Sequence, residues 1–510
     1  MKIQLVNAPM LLNPGALTAL RPAPPLGLAY VAAALRKAGH DVSVIDAIGE
    51  APDQTVRQGP LARLGLGNEQ IVARISADTK AIGIGNMWSF GWPTVRGLVQ
   101  AIKRARPDLP IVGGGEHFSA APEHSMREAP IDFVVVGEGE ETAVRLFGAL
   151  AAGESPRDIP GICYRDAEAN CVRNPRAPRT KAIDDIPWPA WDLFDLEAYD
   201  ERHYVTGNRY GKTVPVLATR GCPYQCTFCS SPQMWTTRWV PRNPVDVVDE
   251  IESYVQRYGA NHFPFQDLTS IIKRDWIIAF CKELLRRKLD VRWQLAAGTR
   301  CEVIDDEVVS HLYRAGCKAL YFAPESGSER TRNLIKKRLK TEALMRASEC
   351  AIRGGLNLGL FLVIGFPKDT VEDLEQTVTL AKTMGALGLS DVSCAYFFPI
   401  PSTELASYLM STGRIRFDDD FLMTPIFVHD KLMREKHNYC ENVSARTLTL
   451  YKYKIVGSFY GALWRHHPER LLASASNGLT GVENSKLDVF LNESRRRVAR
   501  RLLPWRTVAS

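Results

Sequence analysis

The 510-residue chain lacks any apolar run near the roughly 20 residues that a helix needs to cross a bilayer. It opens on a strand-like stretch, not on the charged-then-apolar pattern of a secretion signal. Its 11 cysteines are too sparse for a disulfide scaffold and odd in number. Neither sign of charge dominates: 64 Lys and Arg against 57 Asp and Glu leave +7, which suits a slightly basic surface. No P-loop lysine and no G-x-G-x-x-G opening the first helix is present, which argues against nucleoside triphosphates and dinucleotides. Basic residues stay scattered until the C-terminal tail and no nucleic-acid motif appears, so nucleic acid is the least favoured partner. What remains is an ordinary globular composition, 45% apolar and 24% charged, long enough for about three domains and expected in the cytoplasm.

Residues 1–150 alternate strand and helix patterns. Strands are expected at Lys2–Asn7, Asp41–Asp46, Ala81–Gly85, 110–113 and 131–136, with a helix over 25–38 closed by Gly39 and another in 140–150. That rhythm makes a Rossmann-like, doubly wound parallel sheet, whose ligands sit beyond the carboxyl ends of the strands. Those ends read Asn7-Ala8-Pro9, Gly85-Asn86-Met87-Trp88-Ser89, Gly113-Gly114-Gly115-Glu116-His117 and Gly137-Glu138-Gly139-Glu140. Glycine at such places lets the backbone approach a bulky ligand.

Residues 151–213 are interrupted by Pro156, Pro160, Pro175, Pro178, Pro187 and Pro189, which makes them a linker without long helices or central strands. A stiff turn, Pro187-Trp188-Pro189-Ala190-Trp191, is expected to pack one domain onto the next. From Val214 to about residue 410 the βα rhythm restarts, with strands near 214–218, 261–266, 291–297, 318–323, 357–364 and 393–398. Residues 411–510 look mostly helical and end in Arg495, Arg496, Arg497, Arg500, Arg501 and Trp505. A solvated helix end is the default for that tail, and docking on an anionic membrane surface is the sharper option.

The most specific signal is Arg220-Gly221-Cys222-Pro223-Tyr224-Gln225-Cys226-Thr227-Phe228-Cys229, a C-x3-C-x2-C loop directly behind the apolar run 214–218. Four thiolates close a structural zinc site or saturate an iron–sulfur cluster, whereas three leave one metal position open. A zinc loop or reduced core cysteines are the bland alternatives. On this loop the sequence resembles the radical S-adenosylmethionine (SAM) family. The resemblance implies a [4Fe–4S] cluster on Cys222, Cys226 and Cys229, with SAM at the remaining iron, in a partial (β/α)6 barrel. It also implies that later strand ends contact SAM: Gln266 and Arg300, then Glu325 and Ser326 of an E-S-G turn, then Gly365 and Phe366, with Phe228 and Phe366 beside the adenine. Gln266 stands where relatives often carry an acid, which weakens any role needing paired carboxylates there.

Residues 1–150 resemble the cobalamin-binding domain found upstream of many radical SAM domains. The residues implied at that cofactor are Asn7, Asn86, Met87, Trp88, Gly114, Gly115, Glu116, Gly137, Glu138 and Gly139. A ligand-free Rossmann-like scaffold is the alternative. The D-x-H-x-x-G motif that supplies an imidazole to cobalt is missing, and His40 and His117 lie in the wrong context. The lower cobalt face is therefore expected to lack a histidine ligand, with Met87 or Trp88 covering it. The combined resemblance implies an enzyme that needs an external one-electron reductant, with C-methyl transfer to an unactivated carbon as the leading expectation. A cobalamin-dependent cyclase or oxidase is the alternative, and a non-catalytic cofactor sensor the third reading. Lipid, tetrapyrrole, peptide and small natural-product substrates all fit.

Overall fold

A computed structural model describes residues 1–14, 16, 21–428 and 432–502, and side chains only as far as Arg495. The first sheet has seven strands in the order Cys171–Arg173, Ile162–Arg165, Phe133–Val135, Ile111–Gly114, Ala81–Gly85, Lys2–Asn7 and Asp41–Asp46. The last five of these are parallel, as the alternation of apolar runs and helices predicts. The other two form a hairpin drawn from the proline-rich stretch and pair antiparallel at one edge. An edge is where a strand can sit beside prolines without breaking a ladder. Helix Leu26–Lys37 buries an alanine-rich stripe against one face, and Trp92–Ala105 covers the other with Val95, Leu98, Val99 and Ile102. A small antiparallel sheet, Met10–Leu12, Leu61–Leu64 and Thr55–Gln58, is inserted beside this body.

The second sheet is curled and wholly parallel: His262–Pro264, Arg292–Thr299, Cys317–Glu325, Asn357–Ile364 and Asp391–Tyr396. Residues 214–216 run parallel beside the first of these through bridges Thr213/His262 and Val216/Phe265, completing six strands. The backbone N–H of Val214 donates to His262 O at 3.0 Å, and that of Gln266 to Val216 O at 2.9 Å. Register shifts between Leu295 and Thr299 and between Phe322 and Glu325 bend the sheet near its carboxyl ends. The result is a partial (β/α) barrel of six strands, as the resemblance implies, so functional groups are expected at the open, carboxyl-terminal mouth.

The C-terminal region is mostly helical. Ala445–His466 lies against Val371–Leu387, and the approach is close because residue 385 is glycine: a Cβ there would stand 2.3 Å from Phe459 O. One apolar cluster joins both halves, running from Ile82, Ile84 and Phe118 of the first domain to Ile335, Phe366, Phe397, Phe421 and Tyr439. Among the described residues no helix is long and apolar enough to cross a membrane. Of the basic tail, Arg495 lies in helix Lys486–Leu502 and donates to Leu479 O. Side chains 496–501 and Trp505 lie outside the described residues.

Candidate functional site

The cysteine loop begins where Thr219–Arg220 pairs with Val240–Pro241. Gly221 then turns with φ +83°, and a Cβ there would stand 2.2 Å from Arg238 O, so only glycine fits. Beyond it Cys222, Cys226 and Cys229 are unpaired, partly exposed thiols. The loop is clamped from outside: Thr227 N–H donates to Ile335 O at 3.1 Å and Leu405 N–H to Thr227 O at 3.0 Å. Inside it, Cys229 N–H donates to Cys226 O at 3.1 Å, and Ser231 N–H to Cys229 Sγ at 3.4 Å.

Burial raises all three thiols, Cys229 to about 12, while the cations Lys337 and Arg300 pull Cys222 and Cys226 back down. A thiol must lose its proton to bind metal, so cations beside a half-buried triplet favour ligation. Among the described residues no three His, Cys, Asp or Glu side chains converge on one ion. A [4Fe–4S] cluster does not ask for that, since each thiolate takes a different iron. The buried polar atoms Thr227 Oγ1, Ser231 Oγ, Thr269 Oγ1 and Gln266 Nε2 have no partner among the described residues, as groups awaiting a ligand would. This donor set and its surroundings fit the cluster that the resemblance implies.

The SAM-contact residues expected from sequence gather at the same mouth, around a lysine the sequence reading missed. Glu325 is buried at the end of its strand with φ +67°, a strained conformation for a non-glycine residue. Its carboxylate accepts from Lys337 Nζ at 2.9 Å. Lys336 and Arg338 are also left-handed, at φ +56° and +46°, so the backbone bends sharply on both sides of Lys337. Arg300 donates to Lys337 O at 2.8 Å, pairs with Glu302 and lies 4.0 Å over the Tyr224 ring of the cysteine loop. Ser326 is turned inward, 3.2 Å from Thr377 Oγ1, where it holds its own turn. Gly365 and Phe366 both donate backbone N–H to Asp369 Oδ2 at 3.0 Å. Phe366 is only 2% exposed, 5.5 Å from Phe228 and 5.0 Å from Phe397, so a stacking base would meet Phe228 first.

On the first sheet, Gly115 has φ +106° and a Cβ there would stand 2.7 Å from Asn86 O. A Cβ on Gly114 would meet nothing within 4 Å, so this backbone borders open space. Asn86 Nδ2 is buried without a partner among the described residues, and Met87 and Trp88 are 55% and 53% exposed at the same strand end. An open glycine turn, an orphaned amide and two exposed apolar side chains fit a large, partly apolar ligand such as a corrin.

Other residues expected at cobalamin are engaged elsewhere. Asn7 donates to Asp46 Oδ1 at 2.7 Å and to Tyr199 OH at 3.3 Å. Glu138 accepts from Arg179 Nε at 3.0 Å and from Thr180 N–H at 3.1 Å, and Glu116 accepts from Ser230 Oγ. Gly137 N–H donates to Ser119 Oγ at 2.9 Å, and Gly139 packs on Val31, which a Cβ would approach to 3.2 Å. His117 is fully buried, 3.1 Å from Ser89 Oγ, 3.3 Å from Ser125 Oγ and stacked on Trp92, and burial lowers it to about 3. It is a core residue with no imidazole to offer cobalt.

These contacts also form the seam between the halves. Ser230 lies just beyond Cys229 and reaches Glu116 of the glycine turn. Arg220, just before the loop, pairs with Glu140 and lies 3.6 Å from Glu138. The seam thus ties the cysteine loop directly to two turns of the first sheet and faces the two sets of strand ends toward each other.

A family model for a B12 binding domain matches residues 14–147, and one for the radical SAM superfamily matches residues 216–381. An uncharacterized methyltransferase of Pyrococcus horikoshii is 32% identical over 427 residues, 82% of this chain and 85% of its own length. Three anaerobic magnesium-protoporphyrin IX monomethyl ester cyclases are 29–30% identical; that of Rubrivivax gelatinosus matches over 81% of this chain and 71% of its own. The cytidylyl-2-hydroxyethylphosphonate methyltransferase of Streptomyces wedmorensis is 27% identical, over 79% of this chain and 82% of its own. Among solved structures, the radical SAM methyltransferase TsrM of Kitasatospora setae, with cobalamin and a [4Fe–4S] cluster bound, shares the fold at TM-score 0.66 and 17% identity, covering 90% of this chain and 88% of its own.

Proposed function

The chain belongs to the cobalamin-dependent radical SAM enzymes, and on that premise we propose that it removes a hydrogen atom from an unactivated carbon of a small organic substrate and resolves the radical by ring closure or oxidation, without gain of a methyl group. The observation that carries the radical step is the cysteine triplet held against the glycine turns of the first sheet by Ser230–Glu116 and Arg220–Glu140. The ring-closing outcome draws its support from the three cyclase relatives at 29–30% identity. Methyl transfer is the second reading, favoured by the names of the relatives at 32% and 27% identity.

When bound, a reduced cluster supplies one electron that splits SAM into methionine and a 5′-deoxyadenosyl radical. The chain's own residues do the rest. Cys222, Cys226 and Cys229 would hold the iron. Lys337 and Glu325 offer one cation and one anion side by side, a match for the carboxylate and ammonium of an amino acid. Phe228, Phe366, Phe397 and Tyr439 form a continuous run of ring contacts that begins on the cysteine loop and would help to keep water from it. Met87, Trp88 and the open face of Gly114 would receive the corrin.

The test is anaerobic turnover with SAM, cobalamin and a low-potential reductant, such as dithionite, on candidate tetrapyrrole and lipid substrates. Release of 5′-deoxyadenosine with a product that has lost hydrogen supports the first reading. A product heavier by one methyl group supports the second. Absence of 5′-deoxyadenosine from reconstituted protein defeats both.

A further inference from the structure

We propose that a second cavity, on the flank of the first domain, binds the anionic end of a small organic molecule through Arg63. None of its lining residues belongs to the cysteine loop or to the glycine turns. Its volume is about 630 Å³, within the roughly 300–1,000 Å³ typical of small-molecule sites. The walls come from three parts of the chain. Leu11 and Leu61 belong to the inserted antiparallel sheet, Thr94 to the first turn of helix Trp92–Ala105, and Met423 to the C-terminal region.

Arg63 is the cation of this cavity, and its Nε is buried without a hydrogen-bond partner among the described residues. Other arginines near this insertion find carboxylates: Arg74 pairs with Glu50 at 2.7 Å and Arg202 with Asp53 at 2.6 Å. An orphaned buried guanidinium N–H is costly and calls for an acceptor. The backbone makes room for it, since a Cβ on Gly67 would stand 2.7 Å from Arg63 Nη1. The guanidinium therefore lies across the bare Cα of Gly67, in a turn fixed by the Gly67 N–H donating to Gln70 Oε1 at 2.8 Å.

Around this point the lining mixes apolar side chains with the amide of Asn68 and the hydroxyl of Thr94. Glu69 is exposed and also lines the cavity, so a second negative charge on the ligand would be opposed. The chemistry that fits is one carboxylate or phosphate monoester on an apolar body, the anion forking onto Arg63. The inference does not rest on the radical reading, because binding at Arg63 needs neither cluster nor cobalamin.

The experiment titrates anaerobically reconstituted enzyme with 4-phenylbutyrate, 4-phenylbutyl phosphate and the neutral 4-phenylbutyramide, by calorimetry or ligand-observed NMR. The favoured anion should bind at least about tenfold more tightly than the amide. That advantage should vanish in Arg63→Gln and persist in part in Arg63→Lys. Iron content and SAM cleavage without substrate should stay at wild-type levels. A tighter carboxylate assigns a carboxylic acid ligand, and a tighter phosphate assigns a phosphate ester. Equal binding of amide and anions to the wild type, or an anion preference that survives Arg63→Gln, overturns the proposal. Should Arg63→Gln fail to fold, Gly67→Ala, which displaces the guanidinium, decides in the same way alongside the wild-type comparison.

Discussion

Replacing Lys337 with methionine would leave the Glu325 carboxylate without its cation. The Lys337 ammonium lies 2.9 Å from Glu325 Oε1, and the two side chains are 12% and 9% exposed. Burial works against the charge on the lysine, but Glu325 and the Cys226 sulfur outweigh it and hold the ammonium above its usual range. Two unit charges about 4 Å apart at an effective dielectric of about 20 attract by roughly 4 kcal/mol. Deleting one member of a buried pair costs about 3–5 kcal/mol, because the other is left stranded. Glu325 has little freedom to turn away, since its own backbone sits in the left-handed region at φ +67°. Lys337→Met should therefore lower the unfolding free energy of the anaerobic protein in urea by about 3 kcal/mol. The double variant Lys337→Met, Glu325→Leu should recover most of that loss, since apolar replacement of a buried pair is often near neutral. Iron retention should not recover with it, because Lys337 is one of the cations that favour the Cys222 and Cys226 thiolates. A single variant within about 1 kcal/mol of wild type, as a solvent-screened pair would give, refutes the reasoning. So does a double variant with full iron.

Gly221→Ala should leave the fold intact but lower the iron content, because a Cβ would meet Arg238 O at 2.2 Å and the turn would cost about 1–3 kcal/mol to hold; iron analysis beside circular dichroism checks both halves. Gly385→Ala should cost about 1–3 kcal/mol in urea unfolding without changing iron, since helices Val371–Leu387 and Ala445–His466 must part around a Cβ 2.3 Å from Phe459 O. Burial raises the Asp267 carboxyl to about 6 despite bonds from Thr219 and Ala218, so its proton is held more tightly folded than unfolded. The stability linked to that group is fully present below about pH 4 and falls as pH rises through 6, and Asp267→Asn should flatten the slope of unfolding free energy across that window.

The parts of the site legible in sequence were those carried by local pattern. Cys222, Cys226 and Cys229 declare themselves by spacing, and the glycine turns by their place after apolar runs. The six parallel strands that flank the cysteines, one before and five after, and the five in the first domain follow from alternating runs. What stayed hidden depends on partners distant in the chain. Glu116 meets Ser230 and Glu140 meets Arg220, pairings across 114 and 80 residues that no periodicity announces. The glycine turn around Glu138 shows where backbone bends, not that its carboxylate faces Arg179. Lys337 had one faint signal, the basic run Lys336-Lys337-Arg338 soon after the Glu-Ser-Gly turn. The strand Thr55–Gln58 was illegible because all four of its residues are exposed, leaving no apolar alternation to read.

A site-differentiated iron–sulfur cluster on the cysteine loop can be checked by counting iron and acid-labile sulfide in protein purified without air. About four of each per chain are expected, falling to background in Cys222→Ala, Cys226→Ala and Cys229→Ala while the fold persists. Zinc in place of iron, or iron without sulfide, would contradict it.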